Sequence, residues 1–185
     1  MQSRGALFMR RVVSVLLAST FLIALATPVA AQTPVDERRV RESVPLGAFD
    51  LTIEPEIGCG DFAVLVEDIA GDITYIFITE DRHGNILERV VFHTLSRYTN
   101  TTTGASFERR FDSVGNITIR PDGTVKVIAR NDTLIWGPEP VAIGLADGVW
   151  LIDKGRLVLE YDAEGGLAGA ELQEGETIDV CALLR

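Results

Sequence analysis

The chain has 185 residues, a formal net charge of −10, two histidines and two cysteines. That length fits one domain able to bury a core without a structural metal or dense cross-linking. The acidic balance repels nucleic acid and anionic lipid, so nucleic-acid binding is not expected, while a cationic partner would suit it.

Residues 1–31 read as an export signal. Arg4, Arg10 and Arg11 make the start positive, and no acid occurs before Asp36. In the apolar run 12–26 only Ser14, Ser19 and Thr20 are polar. Fifteen residues at about 1.5 Å each are too short to cross a hydrocarbon layer of about 30 Å, but they match the h-region of a signal peptide. Pro28 breaks the segment and Val29-Ala30-Ala31 offers small residues to a signal peptidase, placing the cut before Gln32. The expected product is exported, by the general secretion route ahead of the twin-arginine route, with no membrane-spanning segment after cleavage. Its net charge is −13, because the leader removes three of the seventeen basic groups and no acid.

Residues 32–45 are polar, charged and bounded by prolines, which suggests a flexible leader before a domain over 46–185. From there, short apolar runs closed by Gly, Asp, Asn or Pro recur about every ten residues, the pattern of an all-β sandwich or barrel. Strands are expected at 46–54 and 62–69, separated by Gly58-Cys59-Gly60, whose glycines permit a tight turn and leave the sulfur accessible. The run 73–79 is apolar on both faces, as a covered central strand is. After the turn at 81–85 a long bent strand is expected over 87–98, followed by a threonine-rich loop. A meander of 107–111, 116–120, 124–129 and 133–136 comes next, with Pro121-Asp122-Gly123 as its clearest hairpin turn. Strands 149–153 and 156–162 would pair across Lys154-Gly155, and 177–183 would close the chain. No segment of the mature chain has a convincing helical period. The result is a single antiparallel domain of 9–10 strands, with a barrel preferred to a sandwich.

Cys59 and Cys181 lie near opposite ends of this domain. An even count in an exported chain argues for a bridge rather than two separate buried thiols. Closing a loop of about 120 residues would stabilise the fold by on the order of 4–5 kcal/mol in the chain-entropy model.

Few residues point to chemistry. His83 and His93 lack zinc-ligand spacing. Asp122, Asp132 and Asp147 lack the ladder of a calcium loop and read as turn formers. No serine occupies a nucleophile elbow, and Ser106 has no histidine near it in sequence. Asn100, Asn116 and Asn131 begin glycosylation-type triplets, which threonine-rich turns explain better. Carboxylates could still pair across strands, since one sequence does not reveal cross-strand register. Arg109 stands out because alternation places it on the face of Phe107 and Phe111, where a guanidinium could meet an anionic ligand instead of snorkelling at a strand end. No catalytic, cofactor-binding or metal-ligating residue is assigned.

The segment Arg97-Tyr98-Thr99-Asn100-Thr101-Thr102-Thr103-Gly104, the runs Gly148-Val149-Trp150-Leu151 and 157–162, and the ending Ile178-Asp179-Val180-Cys181-Ala182-Leu183-Leu184 resemble a group of small secreted bacterial β-proteins of uncharacterised activity. The resemblance covers most of the mature chain, includes an early cysteine matching Cys59, and implies a shared fold and disulfide without transferring any site. The functional expectation is a secreted, non-enzymatic module binding a small ligand, glycan or protein. A small-barrel enzyme of isomerase or cyclase type and a structural envelope protein are the alternatives. The sequence assigns no particular partner or oligomeric state.

Overall fold

The computed structural model describes residues 40–78 and 80–185. The expected signal peptide, its cleavage site and residues 32–39 lie outside the described residues. The domain is all-β, built from β1 (Val40–Val44), β2 (Leu51–Ile53), β3 (Val64–Ile78), β4 (Ile86–Asn100), β5 (Ser106–Ile119), β6 (Val125–Ile135), β7 (Trp150–Tyr161) and β8 (Leu167–Asp179). A 3-10 turn at Pro55–Ile57 and two short helices, α1 (Pro138–Ala142) and α2 (Val180–Leu183), complete it. All strands join one antiparallel sheet in the order β1-β3-β4-β5-β6-β7-β8, with β2 also pairing β3.

The sheet is not a closed barrel, which corrects the preference drawn from sequence. β1 and β2 lie end to end along one edge of β3, facing Ile73 to Phe77 and Val64 to Val66, and β8 forms the opposite edge, with no strand partner beyond β7 among the described residues. Closure also fails inside the sheet. β5 and β6 pair only over 113–119 with 125–131, and below that level they part.

The strands are fewer and longer than expected because most mid-chain turn signals turn out to be bulges. β3 runs through Gly71 (φ 106°), with its register shifting between Asp68 and Ala70. β6 runs through Asn131 (φ 66°), and 107–111 and 116–120 form one unbroken β5. The expected hairpin at Lys154-Gly155 is instead a bulge within β7, where Lys154 has φ 50°, opposite Gly175 of β8 (φ 123°). A bulge inserts residues into one strand and bends it while the ladder resumes beyond. Gly71 pairs with Thr94, Thr94 with Phe111, Ser113 with Asn131 and Asn131 with Gly155, so the bulges fall along one band across the sheet.

Val40–Val44, in the stretch expected to be a flexible leader, pairs with β3, which supplies the backbone partners that its poor apolar content did not suggest. The first expected strand contracts to Leu51–Ile53. The hairpin at Pro121-Asp122-Gly123 is as expected: the Arg120 and Gly123 amides close it, Asp122 accepts from the Thr124 amide at 2.9 Å, and Gly123 has φ 85°.

Two cores result. The first contains Val64, Val66, Tyr98, Leu151, Val180 and Leu184, with Phe107, Phe111, Leu134 and Ile178 packed against it. It joins β2–β5 to the ends of β6–β8 below the point where β5 and β6 part. Fully buried side chains such as Leu151 and Ile53 each stabilise the fold by about 1.5–3 kcal/mol. The second core contains Ala129, Ile135, Ile152, Leu157 and Leu159 and is covered by Ile143 and Leu145, just after α1. Cys59 and Cys181 form a disulfide with Cα atoms 5.4 Å apart, tying the turn before β3 to α2 after β8. Cys59 is only 7% exposed, so its flanking glycines do not leave the residue open as expected.

Candidate functional site

β4 alternates, burying Glu88, Val90, Thr94, Ser96, Tyr98 and Asn100 on one face, with Phe92 half-buried between Val90 and Thr94. Register carries that face onto β5 at Phe107, Arg109, Phe111, Ser113, Gly115 and Ile117. Arg109 therefore lies where alternation predicted, beside Phe107 and Phe111, and points into the protein with 29% of its side chain exposed.

Two carboxylates of the chain meet it there. Arg109 Nη2 donates to Asp153 Oδ1 at 2.8 Å and lies 3.9 Å from Asp132 Oδ1. Its Nε is buried and has no hydrogen-bond acceptor among the described residues. Asp132 Oδ2 accepts the Asp112 amide at 2.9 Å, immediately beyond the last β5–β6 pair, so a side chain replaces the backbone acceptor lost where the strands part. Asp153 precedes the Lys154 bulge. Nearby, Ser96 donates to Asp68 at 2.7 Å and lies 3.1 Å from Thr94 Oγ1, while Tyr98, 1% exposed, stacks on Phe107 with ring centroids 4.9 Å apart.

Electrostatics separates the two carboxylates. Burial raises the pKa of Asp132, and the adjacent Asp153 carboxyl adds to the rise against the lowering by the Asp112 amide and Arg109. Burial pushes Asp153 up as well, but the hydrogen bond and charge of Arg109 outweigh it and hold its pKa below the ordinary value. Burial, followed by the charge of Asp68, raises the Tyr98 phenol. Arg109 faces two carboxyl groups whose tendencies to ionise differ, Asp153 held in its charged form and Asp132 pushed toward its neutral one. The Arg109 charge that sequence reading offered to an anionic ligand is thus already engaged.

Sequence reading missed Asp132, Asp153 and Asp68. Asp132 looked like a turn former and Asp153 like the end of a hairpin strand, because bulges and turns share residue preferences. The remaining candidates stay apart from the cluster. His93 Nδ1 lies 2.9 Å from Asp112 Oδ1 with its side chain 52% exposed, and His83 accepts from Arg82 within its turn. Among the described residues no three His, Cys, Asp or Glu side chains are placed to hold a metal ion. Asn100 is 2% exposed, which removes it as a glycan acceptor in the folded chain.

The segments 97–104, 148–151 and 178–184 converge on a structural junction. Asn100 accepts the amides of Thr102 and Thr103 and donates to the Leu184 carbonyl. The Val180 amide donates to Val149, the Cys181 Sγ accepts from the Val149 amide at 3.4 Å, and Asp179 caps α2 through the Ala182 amide. An open cleft of about 300 Å³ beside the disulfide is lined by Gly58, Gly60, Asp147, Asp179 and Arg185. The chain matches no family model, no curated protein and no solved structure.

Proposed function

We propose that the chain is a secreted, non-enzymatic binding module that holds a small ligand where β5 and β6 part. The observation that carries this reading is the convergence of Arg109, Asp132 and Asp153 where β5 and β6 part, beside Phe107 and Phe111. Polar groups that converge beside aromatic side chains are the usual makings of a ligand site. Arg109 and Asp153 remain partly open to solvent, the Arg109 Nε still lacks an acceptor, and Phe111 continues from the cluster to Phe92, 5.8 Å between ring centroids, and on to Phe49. The positively charged start, the apolar run of fifteen residues and the Val29-Ala30-Ala31 ending support export.

A thermal-shift screen of the secreted chain tests the reading, because a ligand that binds only the folded state must raise the melting temperature. Hits are expected to lose at least half their shift in Asp132→Asn and Arg109→Gln. Shifts unchanged in both variants would place the ligand elsewhere. The opposite pKa displacements of Asp132 and Asp153 support a second reading, acid–base chemistry of the isomerase or cyclase type. Turnover of a screening hit that is abolished by either Asp→Asn change would favour that reading over binding alone.

A further inference from the structure

The two faces of the sheet carry charge differently. Alternation turns Arg89, Arg130 and Arg156 away from the core side, since their sequence neighbours Val90, Ala129 and Leu157 are buried there. Register then joins these arginines across the outer face. One row runs Arg41, Ile76, Arg89, Asn116, Ile128 and Val158, and the next runs Ser43, Thr74, Val91, Val114, Arg130 and Arg156. From β1 to β7 these two rows hold four arginines and no acid, and Glu171 and Glu174 follow at the β8 edge.

The four arginines are not engaged. Elsewhere on this face Arg97 pairs with Glu108, Arg110 with Asp112 and Lys126 with Glu160, and Asp72 lies beside His93 in the row beyond Thr74 and Val91. No described carboxylate forms an ion pair with Arg41, Arg89, Arg130 or Arg156, and the first three are exposed. Arg130 stands directly opposite Arg156, an arrangement that destabilises a strand pair when the charges are alike. The Arg156 Nε is buried with no acceptor among the described residues. Asn116, across from Arg89 and diagonal to Arg130, also has no side-chain partner among them. Arg41 to Arg89 and Arg89 to Arg130 are each two strands, so at about 4.8 Å per strand the arginine positions recur roughly every 10 Å across the sheet.

We infer that this stripe binds a linear acidic polysaccharide laid across the strands, its carboxylates on Arg89, Arg130 and Arg156 and a hydroxyl on Asn116. Charge complementarity selects this occupant, because the stripe offers donors and positive charge, and a guanidinium matches a carboxylate in geometry as well as sign. A nucleic-acid strand carries a phosphate about every 3.4 Å and is held by aromatic stacking platforms, and neither row contains an aromatic residue. The net charge of −10 sets the far field, but at physiological salt charges more than about 8 Å away are largely screened, so the local stripe decides what docks. This face lies opposite the Arg109 cluster, and the stripe stands or falls independently of the small-ligand reading.

Titration calorimetry at low and at physiological salt tests it with three probes: a hyaluronate decasaccharide, which carries one carboxylate per two sugars, a neutral dextran of the same length, and a thymidine decanucleotide. The proteins are wild type, the double variant Arg89→Gln/Arg130→Gln, and Arg97→Gln, which removes an arginine already paired on the same face. Thermal melts check folding, and the double variant is expected to melt no lower than wild type because it relieves the Arg130–Arg156 opposition. Hyaluronate is expected to bind wild type most tightly of the three, to weaken as salt rises, to lose tenfold or more in the double variant, and to stay within twofold in Arg97→Gln. Dextran binding as tightly as hyaluronate would overturn the charge argument, and tighter binding of the decanucleotide would overturn the polysaccharide in favour of nucleic acid. Equal losses in Arg97→Gln and the double variant, or no binding by hyaluronate at millimolar concentration, would overturn the stripe as a site.

Discussion

Glu139 shows how one carboxyl can set a pH dependence. It accepts from Tyr161 Oη at 3.0 Å and from the Trp136 amide at 3.3 Å, at the start of α1. Burial raises its pKa above the ordinary 4.5, and the hydrogen bonds from Tyr161 and Trp136 offset this only in part. A folded-state pKa raised for an acid means the fold favours the neutral form. The resulting loss of stability is absent below the unfolded value and grows as pH rises through the folded one. Glu139→Gln should therefore melt a few degrees above wild type at pH 7–8, with the two curves converging below pH 4.5. A variant that melts lower than wild type at neutral pH would show that hydrogen bonding to the carboxylate outweighs its burial. The sequence contains no hint of this, since the Tyr161 contact bridges 22 residues. The position of Arg109 beside Phe107 and Phe111, in contrast, was legible, because alternation along one strand is a local property.

At the scale of elements, the glycines divide into those that the bulges require and one that they do not. A side chain on Gly71 would run into the His93 carbonyl, and its φ of 106° strains any other residue. One on Gly155 would collide with Ile152 and with the Glu174 carbonyl. Gly71→Ala and Gly155→Ala are each expected to lower unfolding free energy by about 2–4 kcal/mol in urea titration. Gly115→Ala should leave it within about 0.5 kcal/mol or raise it slightly, because that site is open and its backbone ordinary. Equal losses at all three would mean that the band of bulges carries no special constraint. The same band explains why strand number was overestimated. Gly, Asn and Lys-Gly at these positions satisfy a reverse turn and a bulge equally well, and only the pairing partner on the next strand separates the two. Turns that close on themselves, at Pro121-Asp122-Gly123 and at 81–85, were read correctly from their residues.

For the molecule as a whole, the disulfide spans 122 residues and joins the two ends of an open sheet. Replacing Cys59 and Cys181 together by Ser should reduce stability by about 4–5 kcal/mol in denaturant titration, as loop-closure entropy predicts. A loss under about 1 kcal/mol would show that Asn100, Val180 and Leu184 already hold the junction by packing and hydrogen bonds alone. By itself the sequence determined the strand-rich class, the acidity, the bridge between the only two cysteines and the face on which Arg109 sits. Each follows from composition or from alternation within a few residues. Tertiary structure alone decided that the sheet stays open, that β5 and β6 part, and that Asp132 and Asp153 meet Arg109. Those outcomes depend on cross-strand register, and one residue of bulge is enough to change which side chains face one another.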